Sequence, residues 1–163
     1  MKTHTTLKYY REQQELLNNI IPKMNHIFYD LQEFLQDDDM FDNICRWSET
    51  TITSKTKKIQ FCFISKEEFT AIKNALNLNK MSKHTDERSY TMTTKKDGID
   101  IEFYWSLPDT CEVITEYEYK DTYFNADDIK VEGDKVLQRT EKTVSIKCGD
   151  KSMLEAVFSE VQQ

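Results

Sequence analysis

Apolar residues in the first quarter of the chain recur at three- and four-residue steps. Leu17, Ile20, Ile21, Met24, Ile27, Phe28, Leu31, Phe34 and Leu35 follow this spacing, which places them on one face of a helix over residues 7–36. Pro22 interrupts the stripe. It has no N–H for the Asn18 carbonyl, so a kink or a fresh helix start is expected there. Asp37, Asp38 and Asp39 follow, and like charges at a helix C-terminus oppose the macrodipole, so the helix is expected to end or weaken at this run. Met40, Phe41 and Ile44 then supply one further turn.

Beyond residue 45 the period changes to two. Thr50-Thr51-Ile52-Thr53 is rich in β-branched residues, and Ile59, Phe61 and Phe63 alternate with Gln60 and Cys62, which predicts a hairpin over residues 46–64 turning at Ser54-Lys55-Thr56. Ser65 and Glu68 have capping-box spacing. Phe69, Ile72 and Leu76 then mark a helix over residues 66–79. Asp97-Gly98 fits a two-residue type I′ turn, where both positions need positive φ. That register pairs Lys96 with Ile99, Thr94 with Ile101, Met92 with Phe103 and Tyr90 with Trp105 on one face, and Lys95 with Asp100, Thr93 with Glu102 and Thr91 with Tyr104 on the other. Pro108-Asp109 makes a break. Strands are expected at 111–123, 129–132, 135–138 and 142–148, with Gly133-Asp134 as a tight turn. Met153, Leu154, Val157, Phe158 and Val161 form a last amphipathic helix, capped by Asp150 or Ser152.

The order of these elements reads as an α+β fold: a mainly antiparallel sheet of hairpins packed by a long N-terminal helix, a middle helix and a short C-terminal helix. With 163 residues the chain suits a single domain over 1–163. Its parts are a helical region at 1–45, a sheet at 46–148 with the inserted helix, and a C-terminal helix at 150–162. Aromatics make up 12%, which argues against disorder. The longest apolar runs are a few residues, too short for a transmembrane helix. The polar stretch from Met1 to Leu7 shows no signal peptide, so the expected location is the cytoplasm.

Chemistry-bearing motifs are sparse. The three glycines (Gly98, Gly133, Gly149) are too dispersed for a phosphate-binding loop or dinucleotide fingerprint. Cys45, Cys62, Cys111 and Cys148 lack the close pairs of a zinc site. In a reducing compartment they are expected to be packed thiols. His4, His26 and His84 have no local partner for nucleophilic catalysis. No G-x-S-x-G or H-E-x-x-H occurs, and Asp109 reads as a turn residue. The aromatics Tyr90, Phe103, Tyr104, Trp105, Tyr117, Tyr119, Tyr123 and Phe124 read mostly as packing. The expectation is a protein without catalytic residues, metal or cofactor.

Charge is the most informative feature. The net charge is −7, yet residues 55–96 carry ten basic and four acidic side chains, and residues 97–134 carry two basic and twelve acidic ones. Alternation from Glu112 sets Glu112, Ile114, Glu116 and Glu118 on one strand face. Alternate side chains lie about 6.6–6.8 Å apart, near the rise of two nucleotides at about 3.4 Å each. Carboxylates at that pitch can address Lys and Arg groups that hold a nucleic-acid backbone. Asp100, Glu102, Glu112, Glu116, Glu118, Asp121, Asp127 and Asp128 are therefore the candidate residues for docking a basic protein partner. A solvated face that keeps the protein soluble, or a divalent-cation site without EF-hand spacing, stays open beside it. So does pairing of the acidic and basic blocks within the fold or between copies. Arg is scarce, at four residues, and the net negative charge opposes direct nucleic-acid binding.

The small size, the Lys/Asn/Thr-rich composition, the few Gly and Pro, and the Glu116-Tyr117-Glu118-Tyr119 strand together resemble the acidic single-domain proteins that bacteriophages and mobile elements use against bacterial defence, such as anti-CRISPR inhibitors. The resemblance is one of whole-chain character. It implies a non-enzymatic inhibitor in the cytoplasm of a host bacterium that blocks a CRISPR-associated nuclease by occupying its basic nucleic-acid channel or another working surface. The alternatives are a phage structural or regulatory accessory protein, a small-ligand binder and an uncharacterised hydrolase. Homo-oligomerisation is compatible with each.

Overall fold

The computed structural model describes residues 3–86, 88–120, 129–132 and 135–161. Within them the order is α1 (Thr3–Leu35), α2 (Asp38–Arg46), β1 (Ser48–Ile52), β2 (Lys57–Cys62), α3 (Lys66–Ala75), β3 (Ser82–Thr85), β4 (Ser89–Lys96), β5 (Ile99–Ser106), β6 (Glu112–Lys120), β7 (Ile129–Glu132), β8 (Lys135–Lys147) and α4 (Met153–Val161). This is an α+β fold with mainly antiparallel pairing.

α1 continues through Pro22 as one helix, with no fresh start there. Pro22 and Asn18 both lie on its exposed side, where the carbonyl that loses its partner has access to water. The helix stops at Leu35, and Gln36 takes a φ of 50°. The aspartate run corrects the sequence reading: it begins a helix as well as following one. The Asp37 carboxylate accepts the Met40 N–H at 3.0 Å, and Asp38 and Asp39 occupy the first turn of α2, where negative charge complements the macrodipole. Met40, Phe41 and Ile44 thus belong to a separate helix.

β1 and β2 form the expected hairpin, with Ser48 opposite Phe61 and Ile52 opposite Lys57. However, β2 ends at Cys62, and Phe63, read as continuing the alternation of Ile59 and Phe61, turns left-handed and stays exposed. Thr53 Oγ1 fixes its turn by accepting the Thr56 N–H at 2.8 Å. The capping box of α3 is complete: Ser65 Oγ accepts the Glu68 N–H at 3.2 Å, and Glu68 Oε2 accepts the Ser65 N–H at 2.7 Å. α3 ends at Ala75, short of the expected residue 79, because Asn77 turns left-handed with φ 52°. At the end of β4, Asp97 and Gly98 have φ 52° and 81°, and the β4–β5 register is the expected one throughout. Nothing lies within 4 Å of a Cβ built on Gly98, so Gly98→Ala carries only the backbone cost of a left-handed L-residue. We expect it to lower the unfolding free energy in urea by about 1–2 kcal/mol. An unchanged midpoint would contradict the turn geometry.

The strands make two sheets. The first has the order β1-β2-β5-β4-β3, and the second β6-β8-β7. β2 and β5 run parallel, joined by a connection that includes α3. Residues 135–147 form one strand where the sequence suggests two. The polar interval at Arg139-Thr140-Glu141 is not a loop: Glu118 pairs with Glu141 and Tyr119 with Arg139, so the register slips at Thr140 and β8 carries on through a bulge. The Gly133-Asp134 turn lies outside the described residues.

Alternation in the first sheet sends Ile59, Phe61, Tyr90, Met92, Ile99, Ile101, Phe103 and Trp105 to one buried face. Three helices cover it. Phe28 of α1 meets Phe61, Phe69 of α3 meets Phe103 with ring centroids 4.9 Å apart, and Phe158 of α4 meets Trp105 at 5.5 Å. The opposite face carries Lys58, Gln60, Lys95, Asp100, Glu102 and Tyr104. α4 is capped by Ser152, whose N–H and Oγ both contact Glu155 Oε2.

The cysteines also correct the sequence reading. Cys111 and Cys148 are joined as a disulfide, with Cα atoms 4.1 Å apart. Each sits one step beyond the Glu112–Lys147 pair, so strand pairing itself makes them neighbours. The pair links the β5–β6 connection to the turn before α4. Cys45 and Cys62 are free and half-buried.

Candidate functional site

β6 stands at one end of the three-stranded sheet, so only β8 pairs with it among the described residues. Its carboxylates at Glu112 and Glu116 are exposed. Their register partners are Lys147 and Thr143, yet among the described residues neither carboxylate has a cation within ion-pair distance. Glu118 continues the strand, and register sets it opposite a further acid, Glu141. Tyr117, 40% exposed, lies between Glu116 and Glu118 in the strand. An edge strand bearing carboxylates resists pairing with another strand and leaves a row of negative charge for a cationic partner. Asp121, Asp127 and Asp128 lie outside the described residues.

Asp100 and Glu102 are separated from this row. They belong to β5, in the other sheet, and the protein's own lysines engage both. Lys58 Nζ is 3.0 Å from Glu102 and Lys95 Nζ is 3.1 Å from Asp100. The second pair is the cross-strand neighbour set by the hairpin, and the first joins parallel strands. Here the acidic and basic blocks of the sequence neutralise one another within the fold. The Glu102 pair is largely shielded, with about a quarter of each side chain exposed, so separating it to meet a partner leaves charge partly desolvated. The acidic face expected from the sequence is thus divided, and among the described residues the portion without a cation is on β6.

A second feature is not legible in the sequence. α2 ends at Trp47, whose N–H donates to the Asn43 carbonyl and whose carbonyl accepts from the Cys62 N–H at 2.8 Å. Beyond β2, Phe63 takes φ 53° while its N–H still donates to the Tyr104 carbonyl at 2.9 Å. These constraints hold the Trp47 and Phe63 rings edge to face at 6.1 Å, at 48% and 41% exposure. They border an open cleft of about 630 Å³, which reaches down to Trp105 and to Val157 and Val161 of α4. Glu68 also lines it. This carboxylate is only 7% exposed and is held by the Ser65 N–H and by the Asn43 side-chain amide. The capping box is visible in the sequence. The third partner, Asn43, and the left-handed Phe63 have no local signature.

Burial pushes the Cys45 and Cys62 thiols above their ordinary range, reinforced by Asp42 at the first and by Glu49 and Glu102 at the second. Both are thereby held in the less nucleophilic form. Among the described residues no group of three His, Cys, Asp or Glu is arranged to hold a metal ion, and no helix is long and apolar enough to cross a membrane. Compared with known proteins, the chain matches no family model, no curated protein and no solved structure.

Proposed function

We propose that this chain is a non-enzymatic binding protein that docks the carboxylate-bearing edge strand β6 onto a basic surface of a protein partner. By its whole-chain resemblance to anti-CRISPR inhibitors, the partner is a nuclease whose nucleic-acid channel is lined with Lys and Arg, in the cytoplasm of a host bacterium. The observation that carries the reading is the exposure of Glu112 and Glu116, neither of which has a cation within ion-pair distance among the described residues although Lys147 is opposite Glu112 in register, in contrast to Asp100 and Glu102, which have one each. Unneutralised carboxylates on a protein of net charge −7 repel one another, a cost that a cationic partner converts into attraction. The docking residues in this reading are Glu112, Glu116 and Glu118.

The test is affinity capture from a bacterial lysate with the wild-type chain and with the E112K/E116K/E118K variant. All three positions lie on β6, and Glu112 and Glu116 are exposed, so the variant is expected to fold, as circular dichroism will show. The wild type should retain a nucleic-acid-binding protein at low salt and lose it at high salt. The variant should retain none of it. Capture of the same protein by the variant would remove β6 as the contact.

A further inference from the structure

We propose that the Trp47–Phe63 cleft binds an organic cation on an aliphatic stem, an alkylammonium or alkylguanidinium of the kind that lysine and arginine carry. The cleft shares no residue with β6, so its ligand is independent of whether that strand docks a partner.

The lining sets the chemistry. It holds two carboxylates, Glu68 and Glu160, and among the described residues no Lys, Arg or His. An anion would therefore meet repulsion from both sides. A neutral apolar ligand would fill the aromatic part and leave the carboxylates without a new partner. A cation satisfies both halves. Glu68 is fixed by donors on each of its oxygens, and each oxygen keeps a lone pair for a further N–H. Because Glu68 is nearly buried, an ion pair made there is screened less than one at the surface.

The rings supply the second half. The negative π-faces of Trp and Phe attract a cation within about 6 Å of the ring centre. The aliphatic stem of the ligand would pack on Val157 and Val161. Phe63 is held in a left-handed conformation that disfavours a bulky side chain, yet the residue is 41% exposed. Its ring packs edge to face on Trp47 and on Tyr104, so a cation would lie against the part of the aromatic pair that stays open to the cleft. The cleft, at about 630 Å³, is of the size that holds small molecules or a single long side chain.

The chain contains two tryptophans, Trp47 and Trp105, and both line the cleft, so intrinsic fluorescence reports on this site. The probes are n-butylguanidinium, the blocked peptide acetyl-Gly-Arg-Gly-amide, and two uncharged counterparts, 1-butanol and the same peptide with citrulline for arginine. Sodium chloride serves as the ionic-strength control. We expect a saturable change with the two cations and binding at least about tenfold weaker with the neutral counterparts. Trp47→Leu and Glu160→Gln, both at exposed positions, should each weaken cation binding by about fivefold while leaving the circular dichroism spectrum unchanged. Tighter binding of the peptide assigns the cation to a macromolecular partner, and tighter binding of butylguanidinium assigns it to a free metabolite. Either result supports the cation site. Equal responses to charged and neutral probes, a response that does not saturate, or full affinity in Trp47→Leu would overturn it.

Discussion

Phe103→Ala is expected to lower the unfolding free energy by about 3–5 kcal/mol. Phe103 is fully buried on β5, the central strand of the larger sheet. Its ring lies 5.6 Å from Phe61, 4.9 Å from Phe69 and 6.2 Å from Trp105. Those neighbours sit on β2, on α3 and on Phe103's own strand, so they cannot all move inward to fill the space. Alanine therefore leaves a cavity in addition to the lost transfer energy. A domain of this size is typically stable by about 5–15 kcal/mol, so the variant approaches the limit of folding at 25 °C. Equilibrium urea denaturation followed by tryptophan fluorescence is the measurement. A loss below about 1 kcal/mol would show that the aromatic cluster is not the packed centre of the fold.

The second large effect concerns the disulfide. Cys111 and Cys148 are 37 residues apart in the chain, and the closed loop contains β6, β7 and β8 in full. Opening it restores conformational freedom to the unfolded chain. Replacing both cysteines with serine is expected to lower stability by about 2–4 kcal/mol. Dithiothreitol acting on the wild type should reproduce the loss, and it should have no effect on the double variant. Equal denaturation midpoints with and without reductant would contradict the bond. In a bacterial cytoplasm glutathione would open this bond and apply the same loss, so finding the pair oxidised in cells would overturn the cytoplasmic part of the proposed function.

What can be read from the sequence follows from how local each determinant is. The Asp97-Gly98 turn, the Ser65–Glu68 capping box and the helix over Ile20 to Leu35 each depend on residues a few positions apart, and each forms. Ile21 and Phe34, however, read on the inward stripe, fall at its flanks and are exposed, while Ile20, Met24, Ile27 and Leu31 are buried. β3 escapes the sequence reading because Ser82-Lys83-His84-Thr85 has no apolar alternation. It joins the sheet by pairing with β4 and by the turn at Asp86, whose carboxylate accepts the Arg88 and Ser89 N–H groups at 2.8 Å. The Cys111–Cys148 bond depends on the register of β6 against β8, which spacing along the chain does not encode. The acidic block is visible as composition. Its division into a portion on β5 that meets lysines and a portion on β6 that stands open requires knowing that the two strands enter different sheets. The cleft depends on Phe63 turning left-handed and on Asn43 reaching Glu68 across 25 residues, and neither is inscribed in a motif.

Docking through β6 depends on where the free negative charge lies rather than on how much of it there is. The direct measurement is the affinity for the captured partner, as a function of salt, of two triple variants with the same change in net charge. E112K/E116K/E118K reverses β6, and E12K/E15K/E33K reverses exposed positions on α1. We expect the α1 variant to bind within about threefold of the wild type and to share its steep weakening with salt, and the β6 variant to show no binding at any salt. Equal weakening of the two variants would show that overall charge, not the edge strand, is what the partner reads.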